Sequence, residues 1–565
     1  MSRSEWEAIA VDDGIAAALA LALKIRPLTA RILVGRGLGD STLAGRFLTP
    51  KLADMRPPTG MADLDKALER LVAAFTAGET IGVFGDYDVD GVTTAAVLAT
   101  TFRAFGAAVI PRCASRDAGY GLGEADVARF VADGCRVLVT GDLGTSDHDA
   151  LRAARVAGLD VIVIDHHQLP EGESPAFALI NPRRADDTFP FKGLASCGVA
   201  FYLAAALRSR LRDDPTRGAG FDPRDLLDLV ALGTIADVVP LVDENRILVT
   251  HGLRVLTARK RPAIRALAKV AEIDERPLTA HDVGFRLAPR LNAAGRLGEA
   301  QLSLDLLLAP DAATATRLAD ELQERNLQRQ RLQEIIWTEA LVAAAEQQHE
   351  AAIVVGAEGW HAGIVGIIAA RLVDRYARPV VVVGFRAGEG RGSARTVAGF
   401  DLFAALSSCA AHLDRFGGHA AAAGMSVRAP ALDDFRRAFL GAVTDQARGR
   451  VAPPIHVDAV VGLGDLDVSF AEELGRLAPF GAANAEPVFA LRGLTTYGTR
   501  LVGQGHLQLT LECEGAIGEA IAFGMADRDP GTGASLDVLA TTELDTFRGN
   551  RRARLKVRQL FPRPQ

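Results

Sequence analysis

The sequence predicts a multidomain α/β protein, with a parallel-sheet domain, a long connecting helix, a second α/β domain and a small C-terminal β-barrel or sandwich. Four observations carry this. Between residues 80 and 185, short β-prone runs at 80–84, 136–140 and 160–164 alternate with helical stretches at 92–105 and 147–157, the pattern of βαβ units with a sheet covered on both faces. Residues 311–348 contain no Gly or Pro and are rich in Ala, Leu, Glu, Gln and Arg, which favours one long helix or two close ones as a spacer. A coiled-coil dimer is the rival reading, but sustained heptads are not evident, and a monomer is expected. Beyond it, Ile353-Val354-Val355, a helix from about Ile364 and a strand at 379–383 repeat the α/β pattern. From Val451 onward the chain turns to short strand-like runs with Gly turns and one helix near 470–476.

The elements group into segments 1–55 (helical), 56–308, 309–348, 349–450 and 451–565. The 565 residues allow roughly three to five domains. The net charge of −7 is unusual for a nucleic-acid binder, though an acidic body with a basic groove, or a cluster of acidic ligands, gives the same total. The five cysteines are odd in number and form no C-x-x-C pair, so neither a disulfide framework nor a structural zinc site is expected. Residues 1–13 do not read as a signal peptide, and the Ala/Leu run at 14–23 is too short for a bilayer. A cytoplasmic protein with no membrane association fits these features.

The chemistry gathers where the first three strands end. They run into Gly85-Asp86-Tyr87-Asp88-Val89-Asp90-Gly91, Gly141-Asp142-Leu143-Gly144 and Asp165-His166-His167. In a parallel sheet, ligands collect beyond the carboxyl ends of the strands, so these groups converge on one rim. A lone Asp-x-Asp is usually a solvated turn, but three acidic strand ends in successive units are hard to explain that way. Crowded carboxylates need a cation, and carboxylate with imidazole suits Mn²⁺ or Mg²⁺, as one or two ions serving phosphoester hydrolysis. Asp237 adds a fourth acid inside the apolar run 231–240; a helix N-cap is the alternative to a metal ligand there.

These motifs resemble the DHH superfamily of phosphoesterases, and the whole chain resembles its RecJ branch. The resemblance runs from about residue 30 to the C-terminus and extends to Gly-Tyr-Gly-Leu at 119–122, Gly-Thr-Ile-Ala-Asp-Val-Val-Pro at 233–240, Pro-Arg-Leu-Asn-Ala-Ala-Gly-Arg at 289–296, Trp-His-Ala-Gly-Ile-Val-Gly-Ile at 360–367 and Phe-Gly-Gly-His-Ala-Ala-Ala-Ala-Gly-Met at 416–425. It implies a DHH catalytic domain, a connecting helix, a DHHA1 domain and an OB-type barrel. It also implies that Asp88, Asp90, Asp142, His166 and Asp237 hold the metal, with Asp86 in support and His167 facing the substrate phosphate. The implied activity is a single-stranded-DNA-specific 5′→3′ exonuclease of recombination and repair, with single-stranded-DNA-binding protein and a RecQ-type helicase as partners.

The chain departs from the family pattern in three places. Phe84 stands where some members carry a further histidine ligand. Asp142 sits in Gly-Asp-Leu-Gly rather than Val-Asp-Cys-Gly. Either Arg112 or Arg116 takes the family's arginine role. Two rival functions remain at this stage, namely a DHH hydrolase of small nucleotides or pyrophosphate, and a non-catalytic scaffold.

Further candidates concern the substrate. Gly417, Gly418 and His419 suit a phosphate nest, against an ordinary Gly-rich turn. Arg391 and Arg395 are phosphate contacts by resemblance and a solvated basic turn otherwise. Arg290, Asn292 and Arg296 lie in one short stretch whose guanidinium forks suit phosphate. His361 is open between a nucleic-acid contact and a helix cap. Arg548, Arg551, Arg552, Arg554, Lys556 and Arg558 form the densest basic run. On a strand, Arg552, Arg554, Lys556 and Arg558 share one face, which is either a track for single-stranded DNA or a charge-protected edge.

Overall fold

The fold is described from a computed structural model covering residues 6–116, 119–214, 216–273, 275–448, 454–503, 505–545 and 551–563. Strands are numbered β1 to β18 along the chain. The chain opens with β1 (Trp6–Ala8) and three helices, Asp13–Leu23, Pro27–Gly35 and Ser41–Leu48.

The first α/β domain is built on five parallel strands: β2 (Thr80–Gly85), β3 (Val109–Cys113), β4 (Cys135–Gly141), β5 (Asp160–Ile164) and β6 (Ala178–Ile180), in the order β3-β2-β4-β5-β6. The three expected strands are its centre. The two outer strands escape a pattern reading, because β3 carries Pro111 and Arg112, tolerable on an edge, and β6 has only three residues. Helices Val89–Ala104, Ser196–Arg210 and Leu227–Ala236 pack together over one face. Their residues, with the central strands, make the largest core.

The spacer is a single helix, Ala312–Ala345. Its first half buries Leu318 and Leu322 in the core of the first domain; its second half buries Ile336 and Ala340 against the next domain. One amphipathic rod thus serves two cores. The second α/β domain has a mixed sheet of β7 (Ile353–Glu358), β8 (Val380–Arg386), β9 (Glu389–Arg395), β10 (Arg415–Gly418) and β11 (Ala422–Arg428), ordered β10-β11-β9-β8-β7. The stretch holding Arg391 and Arg395 is therefore an interior strand, not a solvated turn.

After β12 (Ile455–Val457) and β13 (Ala459–Val460) come β14 (Phe489–Val502), β15 (His506–Cys513), β16 (Ala516–Ala522), β17 (Ser535–Asp545) and β18 (Arg552–Pro562). They pair β14-β15-β16-β18-β17, and β17 returns to β14, which closes a five-stranded barrel; β16–β18 is the parallel pair. This is the OB arrangement rather than a sandwich. The N-terminal helices do not form a separate unit. β1 pairs with β12, and Leu19, Ile32 and Phe47 share one core with Leu463, Phe489 and Leu509 of the barrel region. Among the described residues no helix is long and apolar enough to cross a membrane, and all five cysteines are free.

Candidate metal centre and phosphate cleft

Each ligand is placed by the end of an element. Asp88 caps helix Val89–Ala104, accepting the Gly91 N–H at 3.1 Å, and Asp90 lies in the first turn. Asp142 leaves β4 in the left-handed region (φ +66°), where Asp and Asn are the non-glycine residues best tolerated. Asp165, His166 and His167 follow β5. Asp237 is the C-cap of helix Leu227–Ala236, so the N-cap alternative falls. That helix approaches closely because residue 233 is glycine; a Cβ there would lie 2.3 Å from Thr93 Oγ1 and 2.7 Å from Asp90 Oδ1.

The convergence expected from the strand ends is present. Asp90, His166 and Asp237 offer ligand atoms within 4.8 Å of one another, and so do Asp86, Asp88 and Asp142, and Asp142, His166 and His167. Asp142 and His166, each shared by two of them, link the groups. His166 Nε2 lies 3.3 Å from Asp142 Oδ1 and 3.5 Å from Asp237 Oδ2, yet it makes no hydrogen bond, and neither does buried Asp86 Oδ1. Orphaned polar atoms facing shared carboxylates are what a divalent cation satisfies, so the residues present fit Mn²⁺ or Mg²⁺. Asp86, expected only to support, stands at ligand distance. Phe84 packs edge-on to Phe130 at 5.9 Å and contributes no ligand atom.

Sequence reasoning missed the residues that hold the ligands. Ser196 N and Cys197 N, at the start of helix Ser196–Arg210, donate to the two oxygens of Asp90 at 2.7 and 3.1 Å; Ser196 Oγ donates to Asp142 Oδ1 at 3.0 Å. The N-terminus of that helix is a favourable seat for a carboxylate. Asp165 accepts from His167 Nδ1 at 2.7 Å and from the backbone of His166 and His167. Tyr120 OH donates to Asp142 O at 3.2 Å and lies 3.2 Å from His167 Nδ1. Its motif was visible in the sequence, but its role was not.

The electrostatics follow from burial. Desolvation, reinforced by neighbouring carboxylates, pushes Asp86 and Asp237 up to about 8 and raises Asp90 and Asp142 as well. Burial lowers His166, keeping a neutral imidazole. Burial opposes charge on His167 too, but the hydrogen bond and charge of Asp165 outweigh it and raise His167 to about 9. Burial likewise works against charge on Asp165, yet His167 and the hydrogen bonds bring it down to about 2. His167–Asp165 is therefore an ion pair, whereas the ligand carboxylates have no lysine or arginine within 4.0 Å among the described residues and feel His167, Arg116 and Arg183 only at longer range.

A second uncompensated cluster faces it. Arg116 lies 4.1 Å over the Tyr87 ring, whereas Arg112 is spent on Asp133 at 2.6 Å, which favours Arg116 for the open arginine position. Arg296 donates to Gly363 O at 2.9 Å; burial, then the nearby charges of Arg116, Arg329 and Arg395, lower it to about 10. Arg116, Arg296, Arg329 and Arg395, unlike Arg112, have no carboxylate within 4.0 Å among the described residues; the last three donate to carbonyl, amide or hydroxyl oxygens. The two lobes touch at this point, since a Cβ on Gly363 would lie 2.4 Å from Arg296 O. On β9, Arg391, Ser393 and Arg395 alternate onto one face, and Gly366 makes room for Ser393 and Arg395. Ala422 pairs with Arg395 across β11–β9, and His419 N donates to Ala422 O at 2.8 Å, so Gly417, Gly418 and exposed His419 lie at the same end of that sheet.

Other expectations are redirected. Arg290 is occupied by Gln323 of the spacer and by Arg286 O and Val270 O within the first domain. Asn292 is half-buried on the same helix, Ala288–Arg296. His361 caps helix Ala362–Tyr376, with Nδ1 accepting from Gly363 N at 3.1 Å. The basic face of β18 is neither a free track nor an edge. Arg552 pairs with Glu519 at 2.5 Å, Arg554 with Glu543 at 2.6 Å, and Lys556 and Arg558 with Glu486 at 3.1 and 3.0 Å, on a strand inside the closed barrel. Arg548 lies outside the described residues.

Comparison with known proteins agrees with this architecture. Family models match in chain order: the DHH family N-terminal domain at residues 80–234, the DHHA1 domain at 349–445 and the RecJ OB domain at 457–559. The single-stranded-DNA-specific exonuclease RecJ of Escherichia coli (strain K12) is 35% identical over 578 residues, covering 96% of this chain and 97% of that protein. The chain belongs to the RecJ family. The RecJ of Bacillus subtilis (strain 168) is 35% identical over 568 residues, 99% of this chain and 71% of that protein. A crystal structure of RecJ from Thermus thermophilus in complex with Mn²⁺ superposes with a TM-score of 0.84 at 30% identity, covering 100% of this chain and 80% of that one. The overall fold is thus that of the RecJ family, and the DHH site makes the chain a metal-dependent phosphoesterase of hydrolase type.

Proposed function

We propose that this chain is a divalent-metal-dependent exonuclease that degrades single-stranded DNA from its 5′ end and releases 5′ mononucleotides. The observation that carries the reading is the meeting of two opposite, uncompensated clusters: the carboxylate–imidazole set on the first lobe, and Arg116, Arg296 and Arg395 where the second lobe joins it. Asp88, Asp90, Asp142, His166 and Asp237 would hold Mn²⁺ or Mg²⁺, with Asp86 within reach. When bound, such a cation lowers the pKa of water and neutralises charge on the scissile phosphodiester.

The chain's own residues supply the rest. Arg395, Arg296 and His419, with the Gly417-Gly418 backbone, receive the terminal 5′ phosphate, while Arg391 and Asn292 lie further along the same surfaces. The anchored end sets which phosphodiester lies over the ligands. His167, held protonated by Asp165, donates a hydrogen bond to a non-bridging oxygen. Ser196 keeps Asp90 and Asp142 in place, and Tyr120 packs beside His167. The reading places the protein in the cytoplasm, in recombination and repair, alongside single-stranded-DNA-binding protein and a RecQ-type helicase.

The test uses single- and double-stranded oligonucleotides labelled at either end, with Mn²⁺ or Mg²⁺, for the parent and Asp142→Ala. The reading expects immediate release of a labelled mononucleotide from the 5′ end of single strands, absent in the variant. Hydrolysis of dinucleotides alone would move the assignment to a small-substrate phosphodiesterase.

A further inference from the structure

Asp237 and the barrel are joined through one turn of helix. Val238, the residue after Asp237, has φ +59°, a region that β-branched residues rarely occupy, so this segment is held rather than relaxed. Three residues on, Leu241 N donates to Ala482 O, on the segment leading into the barrel, at 2.8 Å. In the first turn of helix Asp243–Ala258, the fully buried Asn245 donates from Nδ2 to Pro240 O at 3.0 Å and to Gly193 O at 2.6 Å. Those carbonyls belong to the two segments that carry Asp237 and Ser196, and Ser196 in turn holds Asp90 and Asp142.

The next residue reaches the other way. Arg246 is buried, with its guanidinium 3.7 Å from the Phe47 ring centre. It donates to Phe47 O (2.8 Å), Leu477 O (2.9 Å), Arg476 O (3.1 Å) and Ala478 O (2.8 Å). It has no carboxylate partner among the described residues, and burial pulls it down to about 9. A buried cation satisfied only by carbonyls tolerates little displacement of those carbonyls. Asn484 fixes two carbonyls of this segment, those of Leu477 and Pro479.

We propose that Asn245 and Arg246 form a positioning joint through which the docked barrel sets the place of Asp237 and of the Ser196 segment, and so the affinity of the divalent-cation site. The inference rests on the metal-site reading above. Neither side chain touches substrate, metal or a ligand side chain; both act through the segments that carry the ligands. Disturbing the barrel side of the joint shifts the first turn of helix Asp243–Ala258, and Asn245 carries that shift to both ligand-bearing segments.

The test is Mn²⁺ affinity without DNA, read from the electron paramagnetic resonance signal of free Mn²⁺, on the full chain and three variants. Arg246→Met removes the carbonyl contacts and weakens the metal by at most about tenfold, the lower end of the loss that follows when a ligand's own hydrogen-bond partner is removed. Arg246→Lys restores part of that loss. Asn245→Asp keeps every Arg246 bond but sets a carboxylate against two carbonyls, and it weakens Mn²⁺ in the same direction. Asn245→Asp carries the test alone if Arg246→Met fails to fold. Parent-like Mn²⁺ affinity in the folded variants, with only a raised KM for DNA, would overturn the joint and leave it a scaffold contact. A parent that binds no Mn²⁺ would instead remove the metal reading on which the joint depends.

Discussion

The ligand rim of the first lobe, gathered from separate segments by the fold, and the basic face of β18, dense already in the sequence, are opposite in kind. At the rim, Asp86, Asp90, Asp142 and Asp237 crowd together with no lysine or arginine ion pair among the described residues, and His166 Nε2 and Asp86 Oδ1 are buried with no hydrogen bond. On β18, Arg552, Arg554, Lys556 and Arg558 each meet a glutamate. Density of charge is therefore a poor guide to function; uncompensated charge is a better one. The barrel ladder closes on itself, whereas the rim, and the arginines across the cleft, are completed only by something that binds.

The largest effect that would break or sharpen this contrast is at Asp142. Asp142→Asn should lower single-strand cleavage by about a thousandfold or more, since it weakens an electrostatic clamp on the reacting phosphate. The metal-free variant should nevertheless melt no lower than the parent, because Asn accepts the left-handed backbone and one buried, repelling carboxylate is gone. A marked drop in Tm would mean that the cluster is structural. Next in size is the phosphate anchor. Arg395→Met should raise KM for 5′-phosphorylated strands about ten- to a hundredfold, the worth of charge-assisted hydrogen bonds, with a much smaller change for 5′-hydroxyl strands. Equal losses on both substrates would show that Arg395 does not read the terminal phosphate.

The third effect is a pH dependence. Asp86 and Asp237 are raised to about 8 and His167 to about 9, so the folded state binds more protons than the unfolded state across the neutral range. Stability from these groups is present below their unfolded pKa values and is lost as pH rises through 8 to 9. Metal-free protein should thus melt lower at pH 8.5 than at pH 6.5, and Mn²⁺ should raise Tm more at the higher pH. The opposite ordering in scanning calorimetry would contradict the uncompensated state of the rim. The smallest effect belongs to the ladder. Arg554→Met should change stability by less than about 1 kcal/mol, as half-exposed ion pairs do. It should leave KM for single strands within about twofold; a large rise in KM would return β18 to the DNA track.

The rim was legible because Asp88, Asp90, Asp142, Asp165, His166 and His167 follow apolar strand cores, and the parallel pattern puts all strand ends on one side. Ser196 was not legible, since its role combines a backbone N–H at a helix start, which no residue type announces, with a hydroxyl whose partner Asp142 lies 54 residues away in the chain. Asp237 was legible as a costly acid in an apolar run, but its place at a helix C-terminus was not. The β18 cations were read correctly as one face. Their partners, Glu543 on the preceding strand and Glu486 and Glu519 on more distant segments, are set by strand pairing and barrel closure, so neutralisation appeared only in the fold. The joining of the N-terminal helices to the barrel is likewise tertiary, set by β1–β12 pairing and a shared core.

The most direct test of the central claim is a calorimetric Mn²⁺ titration of the parent, Asp142→Asn and Glu543→Gln at pH 7.5, in buffers of different ionisation enthalpy. The account predicts saturable binding with net proton release in the parent and in Glu543→Gln, and its loss in Asp142→Asn. Parent-like Mn²⁺ binding by Asp142→Asn, or binding without proton release, would contradict it.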